Sequence, residues 1–511
     1  MLTRRQFLFF SSIGAAGVLL PGTASAMMNG GGMGGGVIDP PPGLLFKDPV
    51  ENPNISEDPD MVEVHIEAKK PAPYSINGVN ANLSLYGNYP VSPDYFFPGP
   101  TVRVKKGQLL KVHFKNNLPM SMETNILGHH RYMTNLHYHG LHVSPAGIAD
   151  NVMLSAMPGE SLYYELDLSD HEPGNLNIYH PHIHGTVAEQ MWEGLSGALL
   201  VEDPDTVLAG YETHIMVIKD LKLSGTEPEP YTSIMDYMHG KEGDIVTVNG
   251  QVNPVLNIRP GQVQRWRILN ISNARFYKLS LGNHAMYLIG TDGGLLDKPY
   301  PQTEILISPG ERVDVLVKAN QKARDYKFRS LPYSRTGMMS SPTITLLTLR
   351  YNGPKSSQSV PSSVNPNAKR LDMDTSALPK QTFVLSMRQG NGYINGQTFE
   401  EDPYTIMSRL GTYEIWEIIN QSNMDHPWHQ HTNSSQILSI TGGDSKYASL
   451  YTTTPSWKDV VIVPKMGGRV TMLVPVMHYT GMSMFHCHIV EHEDIGMMGI
   501  WDIMPMDEPP M

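Results

Sequence analysis

One stretch near the C-terminus constrains the whole chain. It reads His486-Cys487-His488, then Glu491-His492-Glu493-Asp494, then Met497-Met498, and Cys487 is the only cysteine in 511 residues. A lone cysteine closes no intramolecular disulfide, and a structural zinc site of the usual kind takes two or more thiolates. Cys487 grouped with His492, Met497 and one further imidazole matches the ligand set of a blue-copper centre, two imidazoles and a thiolate with a weak axial thioether. On a strand, alternate side chains face opposite ways, so His486 and His488 project from one face and Cys487 from the other. One strand end can therefore offer sulfur to one metal and nitrogen to others, a few covalent bonds apart. The alternation recurs at His137-Tyr138-His139, at His182-Ile183-His184 and at His426-Pro427-Trp428-His429-Gln430-His431, so that ten histidines and the cysteine fall in four clusters. A single pair of this kind reads as a polar strand end; four together read as one polynuclear metal site.

The surrounding chain has the texture of β-sandwiches. At about 150 residues per domain the length predicts three domains, and 46 glycines and 40 prolines suit many short strands joined by turns. A pattern of apolar alternation about a turn occurs at residues 101–114 and 255–268 and, less clearly, at 404–419. A second alternating element follows each, starting at Pro158, Pro309 and Pro464. Period-two alternation punctuated by Pro-Gly turns and repeated three times predicts an all-β chain of three consecutive cupredoxin-like Greek-key β-sandwich domains. The expected division is 46–203, 204–360 and 380–511, with a Pro/Ser/Asn-rich linker at 361–379. The metal clusters fall in the first and third units, and the middle unit reads as a spacer.

The four clusters resemble the copper-binding motifs of the three-domain multicopper oxidases, and residues 192–204 and 233–250 resemble the bacterial laccase-like members, relatives of the copper efflux oxidases. The resemblance runs from about residue 60 to the end. It implies four coppers. A type 1 copper would be held by Cys487, His426, His492 and axial Met497. The type 2 copper would sit on His137 and His429. One type 3 copper would take His139, His182 and His488, and the other His184, His431 and His486. The trinuclear cluster would then lie between the first and third sandwiches. Oxygen reduction to water consumes protons, and Glu493 and Asp150 stand where the family has acids, so both are candidate catalytic proton carriers. Asp459 is a candidate partner behind the ligands, and Asp425 is a candidate to orient His426 or a cationic donor.

Activity follows from the same resemblance: one-electron oxidation of phenols or aromatic amines at the type 1 copper, coupled to four-electron reduction of dioxygen. Electrons are expected to enter at an exposed edge of His426 or His492. The stretch around Met338-Met339 lacks the long Met-rich insert of relatives that oxidise Cu(I), so the entry is expected to be open. The 31 methionines argue the other way, because thioethers bind Cu(I); cuprous oxidase for periplasmic copper tolerance is the alternative. A non-catalytic copper-binding cupredoxin would be marked by lost ligands, and none is missing.

Thr3-Arg4-Arg5-Gln6-Phe7-Leu8, an apolar run of 14 residues from Phe7 to Leu20, and Ala24-Ser25-Ala26 predict a twin-arginine signal peptide over 1–26 and a periplasmic or secreted protein. The run is too short for stable membrane insertion. Residues 27–45 read as a Gly/Met-rich flexible segment. A formal charge of −12 without a Lys/Arg cluster argues against nucleic acid as partner. The chain holds both halves of the expected interface, so it is expected to work as a monomer.

Overall fold

Each sequence repeat builds the same crossing of two sheets in the computed structural model, which describes residues 36–204 and 207–506. The expected signal peptide and residues 27–35 lie outside the described residues. In the first unit, Gly99–Val104 runs parallel to Gly197–Val201 in one sheet, the chain turns at Gly107, and Leu109–Asn117 joins the other sheet between Met61–Ile76 and Ser161–Asp167. Val255–Ile258 and Val263–Asn270 do the same in the middle unit, against Thr343–Tyr351 in one sheet and between Glu212–Leu221 and Arg312–Lys318 in the other. Thr405–Arg409 and Thr412–Asn420 do so in the third, against Met498–Met504 and between Lys380–Arg388 and Gly468–Val476. The switch of sheet needs a sharp turn, and Gly107, Gly261 and Gly411 adopt φ of 85°, 82° and 80°, where a side chain is strained.

Alternation places the core. Along Leu109–Asn117 the buried positions are Leu110, Val112, Phe114 and Asn116, with their neighbours more exposed. Each fully buried Val, Leu or Phe contributes about 1.5–3 kcal/mol relative to exposure. The sandwiches are not beads on a string. Leu176, Ile178 and Leu200 of the first pack on Ile215, Val217 and Leu269 of the middle unit. Three short helices, α1 (Val187–Glu193), α2 (Ile234–His239) and α3 (Val490–Asp494), one from each unit, meet around Met191, Trp192, Tyr237 and Val490.

One expected boundary shifts. The segment read as flexible through residue 45 is held from its first described residues. Val37–Ile38 pairs with Thr343–Tyr351, Asp39 accepts from Thr345 Oγ1 (2.7 Å) and Lys327, and Asn253 Nδ2 donates to Pro40 O (2.7 Å). Composition hid this, because the Gly/Met run ends where strand pairing begins.

The turn glycines give a differential test. A Cβ on Gly261 would lie 2.1 Å from Ser356 O, whereas nothing stands within 4 Å of one on Gly107. Gly107→Ala is expected to destabilise by about 1–2 kcal/mol, the left-handed cost alone. Gly261→Ala should lose clearly more, read as the difference in urea midpoints; equal losses would contradict this packing.

Candidate metal centre

The lone cysteine lies at the end of the strand Gly481–Cys487, which pairs with His426–Gln430 so that Trp428 opposes Cys487 and His429 opposes His486. His426 thus starts the neighbouring strand and His492 comes back on α3. Cys487 Sγ is 3.4 Å from His426 Nδ1 and 3.5 Å from His492 Nδ1, and the two nitrogens are 3.1 Å apart. Met497 closes the pocket: its N–H donates to His492 O (2.9 Å), its O accepts from Cys487 N (3.0 Å), and its side chain rests on Gly392. All four residues are fully buried. Each imidazole has its far nitrogen engaged, His426 Nε2 by Ser422 Oγ (2.7 Å) and His492 Nε2 by Met238 O (3.3 Å), which leaves both Nδ1 atoms turned to the sulfur. Burial pushes the metal-free thiol well above its ordinary range; a bound cation would favour the thiolate.

On the opposite face of the same strand, eight buried imidazoles converge: His137, His139, His180, His182, His429, His431, His486 and His488. His486 Nε2 is 3.3 Å from His182 Nε2 and 3.2 Å from His431 Nε2, and His488 Nε2 is 3.1 Å from His139 Nδ1. His137 stacks on His431 at 3.9 Å between centroids, and His139 on His429 at 3.8 Å. Desolvation holds these rings neutral: with the neighbouring Lys219 charge it pushes His180 down to about 4, and with repulsion from neighbouring imidazoles it holds His137, His139 and His429 well below the ordinary value.

This set corrects the sequence reading at one ligand pair. His180, not anticipated, is in the cluster, and His184 is outside it. The strand Asn175–His180 pairs with His137–His139 so that His180 stands directly opposite His137. Past Pro181 and His182 the chain is pulled away, because the Asp494 carboxylate accepts the N–H groups of Gly185 (2.8 Å), Val187 (3.2 Å) and Ala188 (2.7 Å). His184 consequently faces His129 and Phe399. The sequence held a signal: three histidines alternate at 180, 182 and 184, and the stretch Leu176-Asn177-Ile178-Tyr179 that makes the strand ends on the first.

The donor pattern fits a metal. His137 Nδ1 pairs with Asp150 (3.0 Å), His180 Nδ1 with Pro181 O (2.8 Å), His429 Nδ1 with Asp459 O (2.9 Å) and His486 Nδ1 with Cys487 O (3.1 Å). Such bonds fix the tautomer and leave Nε2 as a lone-pair donor. The Nε2 atoms of His137, His180 and His429 are buried with no protein partner. An unpartnered buried polar atom costs about 1–3 kcal/mol, and a cation coordinated by these atoms removes that cost.

Comparison with known proteins settles the family. Multicopper oxidase family models match residues 93–206, 211–354 and 365–507, nearly the whole span of the three sandwiches. The chain belongs to the multicopper oxidases. It is 29% identical over 410 residues to the Staphylococcus aureus multicopper oxidase mco, covering 78% of this chain and 81% of that protein. It is 26% identical to a Bacillus stratosphericus laccase, covering 80% and 89%. The crystallised Campylobacter jejuni multicopper oxidase, described as a metallo-oxidase, superposes with a TM-score of 0.76 at 25% identity, covering 93% of this chain and 99% of that one.

As a multicopper oxidase the chain is a copper-dependent oxidoreductase with dioxygen as acceptor, and its carboxylates lie accordingly. Asp150 touches His137 and accepts Tyr138 N–H (2.9 Å); burial pushes its pKa up to about 7. Glu493 is fully buried with no hydrogen-bond partner, its oxygens 3.2 Å from His486 Nδ1 and 3.6 Å from His182 Nδ1. Burial, then the adjacent Asp494, holds its carboxyl protonated well above the usual range. Asp459 receives both Arg312 Nη atoms (2.5 and 2.6 Å) and meets His139 Nε2 at 3.2 Å. Arg312 was missed, and with it the middle unit's part: that unit, read as a spacer, sends Arg312 to within 3.1 Å of His139 Nε2.

The expected open entry is also corrected. His426 and His492 are both 0% exposed, and α2 lies over His492 with Met238 O on its Nε2. Arg335 ties this cover down, donating to His239 O (2.5 Å), Glu242 (2.9 Å) and Met424 Sδ (2.8 Å). Asp425 orients neither His426 nor a donor; Tyr333 Oη (2.8 Å) and Lys465 Nζ (3.1 Å) occupy its carboxylate. A six-residue helix with no Met-rich insert suffices as cover, which insert length alone could not reveal.

Two outcomes test this site. Replacing His180 with Ala should lower oxygen uptake by at least about 100-fold while His184→Ala stays within about threefold of wild type; the reverse order would contradict the ligand set drawn here. In the metal-free protein Asp150 binds its proton more tightly folded than unfolded. Its effect should therefore lower stability as pH rises from 3.8 towards about 7. Asp150→Asn should remove this falling contribution, so that the unfolding midpoint rises more, or falls less, with pH across that window than in wild type, and an unchanged slope would show that Asp150 is not the group responsible.

Proposed function

We propose that the chain uses four coppers to couple one-electron oxidation of a small donor, Cu(I) foremost, to reduction of dioxygen to water. The observation that carries the donor assignment is the sealed cysteine pocket, with both imidazoles buried and α2 above. Type 1 copper is assigned to Cys487, His426, His492 and Met497. Type 2 is assigned to His137 and His429, and the type 3 pair to His139, His180 and His488 and to His182, His431 and His486. Copper supplies one-electron acceptance beside Cys487 and four-electron delivery to dioxygen among the histidines. The chain does the rest. Cys487 and its neighbours His486 and His488 join the two places through a few covalent bonds. Glu493, neutral and 3.2 Å from His486 Nδ1, holds a proton beside the oxygen-binding face, and Asp150 holds another near pH 7 on the His137 side.

A bulky phenol cannot reach a buried imidazole edge, whereas a metal ion needs only a thioether or imidazole at the surface. Met235 on α2 is 49% exposed, and Met338 and Met339, on the loop that carries Arg335, are 83% and 82% exposed. Thioethers select Cu(I). The Arg4-Arg5 leader fits work outside the cytoplasm, and every assigned ligand comes from one chain, which fits a monomer.

Oxygen uptake by the copper-loaded protein, offered Cu(I) and a bulky phenol in parallel, tests the reading. Uptake should be fast with Cu(I) and slow with phenol, and absent with both in Cys487→Ser, which also loses the blue colour. Faster uptake with phenol would return the laccase reading; uptake surviving in Cys487→Ser would remove the type 1 assignment.

A further inference from the structure

His184, displaced from the cluster, stands in a second grouping that the oxidase activity does not use. With His129 and Glu400 it presents one ligand atom per residue, all within 4.8 Å of one another, beside a cavity of about 290 Å³. We propose that His129, His184 and Glu400 bind one divalent transition-metal ion, of the Zn²⁺ or Cu²⁺ kind, bridging the first and third sandwiches outside the copper centres.

The site is built on the first-sandwich side. Asn125 Oδ1 accepts the N–H groups of Leu127 (3.0 Å) and His129 (3.1 Å), and Asn125 Nδ2 donates to Gly185 O (2.5 Å), so one side chain locks the His129 loop to the turn that carries His184. The His129 ring lies directly on Gly185, at φ 83°, where a Cβ would fall 2.2 Å from the ring. The two imidazoles meet edge to face at 5.5 Å between centroids, and His184 Nδ1 is buried without a partner. From the third sandwich, Glu400 brings a carboxylate oxygen to 3.8 Å from His129 Nε2, with its side chain 67% exposed and free to move inward. Tetrahedral coordination at about 2.0–2.1 Å sets ligand atoms some 3.4 Å apart, and the exposed Glu400, at 3.8 Å from His129 Nε2, can make its share of that contraction by a short inward move. Two imidazoles and a carboxylate suit zinc and copper over magnesium or calcium. Glu401 lines the same cavity and can complete the set with water.

The test uses the full chain loaded with copper, dialysed against a chelator that strips copper from all but the buried centres, and titrated with Zn²⁺ in a calorimeter. One Zn²⁺ per chain should bind with micromolar affinity or better. His129→Ala and Glu400→Gln should each weaken it by at least about tenfold, and His184→Ala should abolish it. The absorption of the Cys487-centred copper, unchanged in all three, reports the intact fold, and Glu400→Gln alters only an exposed side chain. No Zn²⁺ uptake by wild type, or equal uptake by the variants, would overturn the site. Because the readout is Zn²⁺ uptake, not turnover, it fails independently of the donor assignment.

Discussion

The register of one strand pair determines the rest of this molecule. Trp428 opposes Cys487 and His429 opposes His486, and since side chains alternate between faces, a slip by one residue would exchange the sulfur face with the imidazole face. The register is held by packing. Trp428 and Phe485 stack at 5.1 Å, Phe383 lies 4.7 Å from Trp428, and Trp416 and Trp501 close the layer at 4.7 Å. Large aromatics under the strand tolerate no other alignment, so the core of the third sandwich fixes which atoms face which metal.

Around that strand the protein solves a solvation problem. Eight neutral imidazoles at a domain interface are stable only if each nitrogen has a use. For four of the rings the chain supplies an acceptor on one side, a carboxylate at Asp150 and main-chain oxygens at Pro181, Asp459 and Cys487, and leaves the other side to metal. The cysteine pocket uses the opposite tautomer, with Ser422 and Met238 O on Nε2. The middle sandwich anchors the arrangement. Arg312 and Lys458 are buried with Asp292, Glu311 and Asp459, Lys458 bonding Asp292 at 2.8 Å and Glu311 at 2.7 Å. Removing one partner of such a network leaves an uncompensated buried charge, at a cost of about 3–5 kcal/mol.

Much of this was legible in the sequence because its causes are local. Alternation and Pro-Gly turns gave the three sandwiches, and a cysteine flanked by histidines can meet few chemical ends. What was misread depends on the end of a strand or on contacts across domains. His182-Ile183-His184 alternates as well as His180-Pro181-His182 does; only the pairing of His180 with His137 and the pull of Asp494 on Gly185 separate them. Arg312 looks like any strand-end arginine until Asp459, 147 residues away, is seen beside it. The cover over His492 is made by a helix of the middle unit and tied by Arg335, so the shortness of the loop near Met338 said nothing about access.

We propose that one strand end serves two separate copper sites and that His180 belongs to the second. Diffraction from crystals of the copper-loaded protein, with anomalous differences measured at the copper edge, tests it most directly. The expected map has one peak beside Cys487 Sγ between His426 and His492, and three peaks among the eight imidazoles with His180 among their ligands. No peak beside the sulfur, or a cluster peak ligated by His184 in place of His180, would contradict this ligand set.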